Sequence, residues 1–149
     1  MKILAVDLGL ARTGIAVCDG LEMLASPVGT LTCGDLDVLA GIVAEQVTKH
    51  RAEHIVVGLP LNMDGSCGES GERAKAFAER LRRICALPVA LWDERLTTKA
   101  AAGFLNVTDT RGKKRKAVID TVSAVLILEG YLAWRAAHPG QTYQREETP

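Results

Sequence analysis

Three acidic positions in this sequence have the types and surroundings to act together. Asp7 closes the apolar run Ile3-Leu4-Ala5-Val6 and is followed by Leu8-Gly9-Leu10-Ala11-Arg12-Thr13-Gly14. Asp93 and Glu94 follow the apolar pair Leu91-Trp92. Asp120 precedes Ala124 and Ile127 at i+4 and i+7, and Leu128 and Tyr131 extend roughly the same helical stripe. A carboxylate at the rim of a buried strand is costly to desolvate unless a cation or a hydrogen-bond donor meets it. Each acid by itself also fits a cap, a salt bridge or a polar rim position. Together, three inward acids repel one another unless a cation neutralises them. Oxygen-only ligands suit Mg²⁺ or Mn²⁺ rather than zinc. A carboxylate cluster holding two such ions suits phosphodiester hydrolysis, one ion activating the attacking water and the other stabilising the leaving oxygen.

The elements that must position these acids follow from the hydrophobic pattern. Short strands are predicted over 2–7, 14–18 and 22–32, the last made irregular or an edge by Pro27 and Gly29. Asp35 is placed to cap a helix carrying Leu36, Leu39, Val43 and Val47 and ending near His50. Ile55-Val56-Val57 reads as a buried strand stopping at Gly58, and 88–92 as another. Between them, Ala74, Phe77, Ala78, Leu81 and Ile84 mark one face of a second helix. Thr97 or Thr98 is placed to cap a helix through Leu105, 106–116 reads as a polar, basic loop, and 117–135 as a long apolar helix. An antiparallel opening followed by alternating helices and strands implies an α/β mixed sheet with helices on its faces. Residues 1–137 then form one domain, and 138–149 a tail with little to pack, expected to be disordered.

Composition narrows the function classes. The 149 residues are 48% hydrophobic but only 4% aromatic, which gives an aliphatic core. Eighteen basic and 18 acidic residues cancel, so any nucleic-acid contact needs a local basic patch. Cys18, Cys33, Cys67 and Cys85 lack zinc-motif spacing and read as free thiols in a reducing compartment. No apolar stretch is long enough to cross a bilayer or to act as a signal, so a soluble cytoplasmic protein is expected.

Two further segments carry polar chemistry. Arg111, Lys113, Lys114, Arg115 and Lys116 precede the long helix, where positive charge opposes the macrodipole. They are candidates for phosphate binding, with a solvated loop as the alternative. Gly58-Leu-Pro-Leu-Asn-Met-Asp-Gly-Ser66 follows a strand, where open sheets place ligands. Its Asn62 and Ser66 can bond a phosphate, sugar or base, or simply shape the turn. Nothing marks Cys67 as a nucleophile, and the separated His50, His54 and His138 have no catalytic role in this reading.

The strings Asp7-x-Gly9-x-x-Arg12-x-Gly14, Gly58–Ser66, Asp93-Glu-Arg-Leu-Thr-Thr98 and Lys116-x-x-x-Asp120 resemble the YqgF family, also called RuvX. The resemblance runs from residue 2 to about residue 133. It implies an RNase H-like fold, a five-stranded mixed sheet flanked by helices. It also implies a bacterial cytoplasmic nuclease proposed to trim the 5′ end of pre-16S rRNA, with Holliday junction resolvase as an older label. The family's acidic site maps to Asp7, Asp120 and one of the pair Asp93 and Glu94, with Glu94 favoured. Strand alternation allows only one of that pair to face Asp7's side but does not say which. Arg12, Arg95 and the 111–116 run would hold the substrate backbone. Leu10 and Ala11 depart from the hydroxyl and basic residues common in the family. A resolvase of DNA four-way junctions would use the same acids as a dimer, whereas the RNA enzyme is compatible with a monomer. Two other readings are a non-catalytic ribosome-assembly factor and half of an actin-like ATPase, the latter needing two such domains.

Overall fold

A computed structural model describes residues 1–32, 34–96 and 112–143, the stretch 112–121 through its backbone alone. The first three strands are β1 (Ile3–Leu8), β2 (Arg12–Cys18) and β3 (Ala25–Thr32). Helix α1 (Leu36–His50), β4 (His54–Leu59), α2 (Glu69–Cys85) and β5 (Val89–Asp93) come next. A 3₁₀ turn (Glu94–Leu96) and α3 (Gly112–Ala137) complete the described elements. The sheet runs β3-β2-β1-β4-β5. The β1–β2 and β2–β3 pairs are antiparallel, and β1–β4 and β4–β5 are parallel. This is the mixed five-stranded sheet flanked by helices that the sequence pattern implies.

Period-two alternation divides the core. Leu4, Val6, Ile15, Ile55, Val57 and Leu59 point to one face, where α1 and α2 cover them with Leu39, Val43, Phe77 and Leu81. Ile3, Ala5, Ala16, Val56 and Trp92 point to the other, where α3 supplies Ala124, Ile127, Leu128 and Tyr131. Asp35 caps α1 as expected, accepting from the Asp37 and Val38 amides at 2.8 and 3.1 Å. Arg51 ends α1 in the left-handed region.

Several boundaries differ from the sequence expectation, each for a pairing or propensity reason. β1 extends past Asp7 because Asp7 and Leu8 pair with Gly14 and Thr13. β2 correspondingly starts at Arg12, and β3 starts at Ala25 because residues 19–24 form a tight loop around the Asp19 carboxylate. β4 does not stop at Gly58, since Gly58 and Leu59 pair with Trp92 and Asp93 of β5. Ile84 is half exposed; the buried face of α2 is Gly71, Ala74, Phe77, Ala78 and Leu81. α3 begins at Gly112, so Lys113, Lys114, Arg115 and Lys116 lie in its first turns and not in a preceding loop. Lys and Arg are good helix formers, which outweighs their unfavourable sign at that end. Arg111 and the expected helix ending at Leu105 lie outside the described residues.

Residues 138–143, assigned by the sequence reading to a tail with little to pack, include Tyr143, whose ring lies 4.8 Å from that of Trp92. Cys18, Cys67 and Cys85 are free thiols. Among the described residues, no helix is long and apolar enough to cross a membrane.

Candidate active site

The parallel strands deliver the acids to one end of the sheet. Val6 pairs with Val57, which pairs with Leu91, so Asp7, Gly58 and Trp92 occupy the next row. In that row the side chains point to the α3 face, as Ala5, Val56 and Ala90 do two residues earlier. Asp93 is therefore turned to the opposite face. It is buried there and holds Arg95 in a two-pronged ion pair, with Nε 3.0 Å from Oδ1 and Nη2 2.6 Å from Oδ2. Glu94 returns to the α3 face, and its carboxyl hydrogen-bonds that of Asp7.

Gly58 makes this meeting sterically feasible. A Cβ there would collide with Glu94 Oε1 and would stand 2.6 Å from Ile127 Cδ1. The absence of a side chain on β4 lets the Glu94 carboxyl lie across that strand toward β1. The motif marks Gly58 as the start of a loop; its steric role depends on contacts from two other elements.

Two largely buried carboxyls in contact cannot both ionise cheaply. Glu94 is pushed up to about 9, first by burial, then by its hydrogen bond to Asp7 and by the charges of Asp7 and Asp93. Burial also raises Asp7, while the hydrogen bond from Glu94 lowers it. The pair therefore shares a proton, with Glu94 donating to the Asp7 carboxylate. A divalent cation would replace that proton and neutralise both groups. An all-oxygen donor set of this kind fits a hard ion such as Mg²⁺ or Mn²⁺.

Asp120 lies on α3, four residues before Ala124 in the stripe of Ala124, Ile127, Leu128 and Tyr131, whose described members are buried. Its side chain is outside the described residues. Ile127 of the same stripe reaches Gly58, so α3 and β4 approach each other beside Glu94.

The other sequence candidates are found in different states. Arg12 opens β2, and its carbonyl accepts from the Gly9 amide at 2.9 Å, closing the turn beside Asp7. Asn62 Nδ2 donates to Ser66 Oγ at 2.8 Å, and Ser66 donates through N and Oγ to Asp64 at 2.9 and 2.6 Å. Both residues thus hold their own loop in shape. Lys113 to Lys116 are placed only as backbone at the start of α3. One contributor lay beyond sequence reasoning: Arg73 on α2 donates to the Gly9 carbonyl at 2.6 Å, tying the helix to the turn after Asp7. Nothing in a helical arginine signals a carbonyl partner so distant in sequence. His54 also has a structural role. It is buried, with Nε2 2.7 Å from the Tyr131 hydroxyl.

A sheet of this order and direction, with its carboxyls gathered at the ends of β1 and β5, defines the RNase H-like class. Among solved structures, Thermus thermophilus RuvC in complex with Holliday junction substrate superposes with a TM-score of 0.60 at 14% identity, covering 93% of this chain and 97% of that one. The fowlpox virus Holliday junction resolvase superposes at 0.54 with 12% identity, covering 90% and 99%. At these identities the likeness is one of fold.

The chain itself belongs to the RuvX family: the family model, described as Holliday junction resolvase, matches residues 1–134. A Halalkalibacterium halodurans relative named "Putative pre-16S rRNA nuclease" is 46% identical over 134 residues, 89% of this chain and 96% of that protein. A Bacillus cytotoxicus relative of the same name is 42% identical over 134 residues, 89% of this chain and 98% of that protein. With the family comes the activity class, a nuclease that hydrolyses phosphodiester bonds.

Proposed function

We propose that this nuclease acts in the bacterial cytoplasm on structured RNA, in 5′-end processing of pre-16S rRNA, through a divalent-metal site built by Asp7, Glu94 and Asp120. The observation that carries the reading is the Asp7–Glu94 carboxyl pair at the ends of β1 and β5, strands that flank β4 in the parallel half of the sheet. The relatives' shared name supplies the substrate class. When bound, Mg²⁺ or Mn²⁺ supplies the Lewis acidity that activates water and stabilises the leaving oxygen.

The chain's own residues do the rest. Asp7 and Glu94 would hold the cation from two strands, their carboxylates taking it in place of the proton they share. Asp93 is a positioning residue: it faces away and fixes Arg95 against the loop at Met63. Arg12, Arg95 and the basic run Arg111, Lys113, Lys114, Arg115 and Lys116 hold the phosphate backbone, with Asn62 and Ser66 shaping the loop against which it lies. Binding should therefore weaken steeply as salt rises.

The family description favours a second reading, cleavage of DNA four-way junctions. Paired symmetrical cuts would then require a homodimer, whereas RNA trimming needs only a monomer. The test presents a pre-16S 5′ leader RNA and a four-way DNA junction to the wild-type chain and to Asp7→Asn in Mn²⁺. Cleavage of the RNA that Asp7→Asn abolishes is the expected result. Symmetrical junction cutting with intact RNA would replace the substrate assignment, and undiminished cleavage by Asp7→Asn would remove Asp7 from the mechanism.

A further inference from the structure

The family match ends at residue 134, and the chain continues. Residues 138–143 turn back onto the domain. α3 ends at Ala137, where the His138 amide bonds the Trp134 carbonyl at 3.0 Å and its Nδ1 donates to the same oxygen at 2.8 Å. The His138 ring stacks on Trp134 with centroids 4.3 Å apart. Gly140, at φ +75°, provides the left-handed residue of a turn in which Gln141 N donates to His138 O at 3.1 Å. Beyond that turn Tyr143 packs between aromatic rings. Its centroid lies 4.8 Å from Trp92, 5.2 Å from Trp134 and 6.1 Å from Tyr131.

Trp92 links this strap to the site. It stands on β5 two residues before Glu94 and shares Glu94's face of the strand. Its indole lies against the α3 backbone at Gly130, where a Cβ would come within 3.1 Å of Cζ2. The ring is thus wedged between β5, which leads into Glu94, and α3, which carries Asp120. Tyr143 closes the remaining side, and the indole is left 4% exposed. Edge and tilted aromatic contacts of this kind orient as well as bury.

We propose that Tyr143 is a positioning residue for the acidic site: through Trp92 it fixes the end of β5 against α3, and so sets the separation of Glu94 from Asp120. The proposal rests on Glu94 and Asp120 being metal ligands. It assigns a role in the reaction to a segment outside the family's own domain.

The test uses the full chain and its Tyr143→Ala, Tyr143→Phe and Glu94→Gln variants. It measures binding of Mn²⁺ alone by calorimetry, kcat and KM on RNA, and thermal unfolding. Tyr143→Ala should weaken Mn²⁺ binding and lower kcat by roughly three- to tenfold with KM unchanged, the scale of lost aromatic contacts. Tyr143→Phe, which keeps the ring, should restore both to within about twofold of wild type. Should Tyr143→Ala fail to fold, Tyr143→Leu replaces it with the same expectations. Wild-type Mn²⁺ affinity and turnover in the Ala or Leu variant, accompanied only by a lower melting temperature, would overturn the proposal and leave the strap purely structural. Wild-type Mn²⁺ affinity in Glu94→Gln would instead overturn the ligand reading beneath it.

Discussion

The two faces of the sheet are built for different purposes. The face under α1 and α2 is almost wholly aliphatic, with Phe77 as its one large ring among the described residues. The face under α3 holds His54, Tyr131 and Trp92 as well as the Asp7–Glu94 pair. Alternation along each strand sorts residues between them, so neighbours in sequence such as Asp93 and Glu94 end on opposite sides with different partners, Arg95 and Asp7. Both faces bury apolar side chains, but the α3 face also gives up stability at its end to keep ionisable groups together. The faces should then respond oppositely to substitution.

The largest effect is expected on the α1/α2 face. Phe77 is fully buried among aliphatic side chains. Phe77→Ala should cost about 3–5 kcal/mol in unfolding free energy, the range for emptying a packed aromatic site. Its kcat per folded molecule should stay at the wild-type value. Chemical denaturation checks the first expectation and active-site-normalised kinetics the second. A proportionate loss of kcat would show that the faces are not separable.

On the α3 face, Asp7→Asn should reverse that pattern. Asn at position 7 removes the buried charge of the pair and still offers the protonated Glu94 an acceptor, so the melting temperature should hold or rise. RNA cleavage in Mn²⁺ should fall by roughly 10²–10³-fold, the scale of losing one preorganised contact to the transition state. A destabilised variant with intact cleavage would place Asp7 among the structural residues.

Gly58→Ala sits between these extremes. The added methyl meets Glu94 Oε1 and Ile127 Cδ1, so the carboxyl must leave its place over β4. Cleavage should drop by roughly 10–100-fold, as when a residue supporting a ligand is lost. A second change, Ile127→Val, opens space beside the same Cβ and should recover part of that loss. Kinetics on the single and double variants test the coupling directly.

How much of this contrast is legible in the sequence depends on whether the signal is local. Asp35 as a cap, the stripe Leu39-Val43-Val47 and the mixed sheet all derive from spacing within one element or from element order, and they stand as read. Strand ends do not, because β1 and β4 are lengthened by partners: Gly14 and Thr13 extend one, Trp92 and Asp93 the other. Alternation says that only one of Asp93 and Glu94 faces Asp7. Which one depends on the register of β5 against β4, and a single strand does not carry that information. The steric role of Gly58 and the reach of Arg73 to the Gly9 carbonyl are contacts between distant elements, with no periodicity to announce them. Tyr143 is hidden for the same reason: a lone aromatic among polar residues reads as tail until Trp92 and Trp134 are seen beside it.

The smallest effect tests whether the α3 face sacrifices stability away from its acids too. His54 is buried against the Tyr131 ring, and burial, with a lesser push from the Arg135 charge, lowers it to about 4, opposed by Glu22. An unfolded histidine titrates near 6.5. Between those values the unfolded chain binds a proton that the folded chain refuses, so stability must fall as pH drops from about 6.5 toward 4. Above that window both states are neutral and His54 contributes no pH dependence. Asp7 and Glu94 act in the opposite direction, since their raised values make the folded chain hold protons longer as pH rises. The contribution of His54 is therefore read as a difference: His54→Gln keeps a partner for the Tyr131 hydroxyl but cannot titrate. Relative to its own stability at pH 7, the variant should lose about 1 kcal/mol less than wild type by about pH 5.5. Denaturant midpoints at the two pH values measure this. Parallel losses would mean that the folded imidazole takes up its proton as readily as the unfolded one, which burial against Tyr131 and the nearby Arg135 charge oppose.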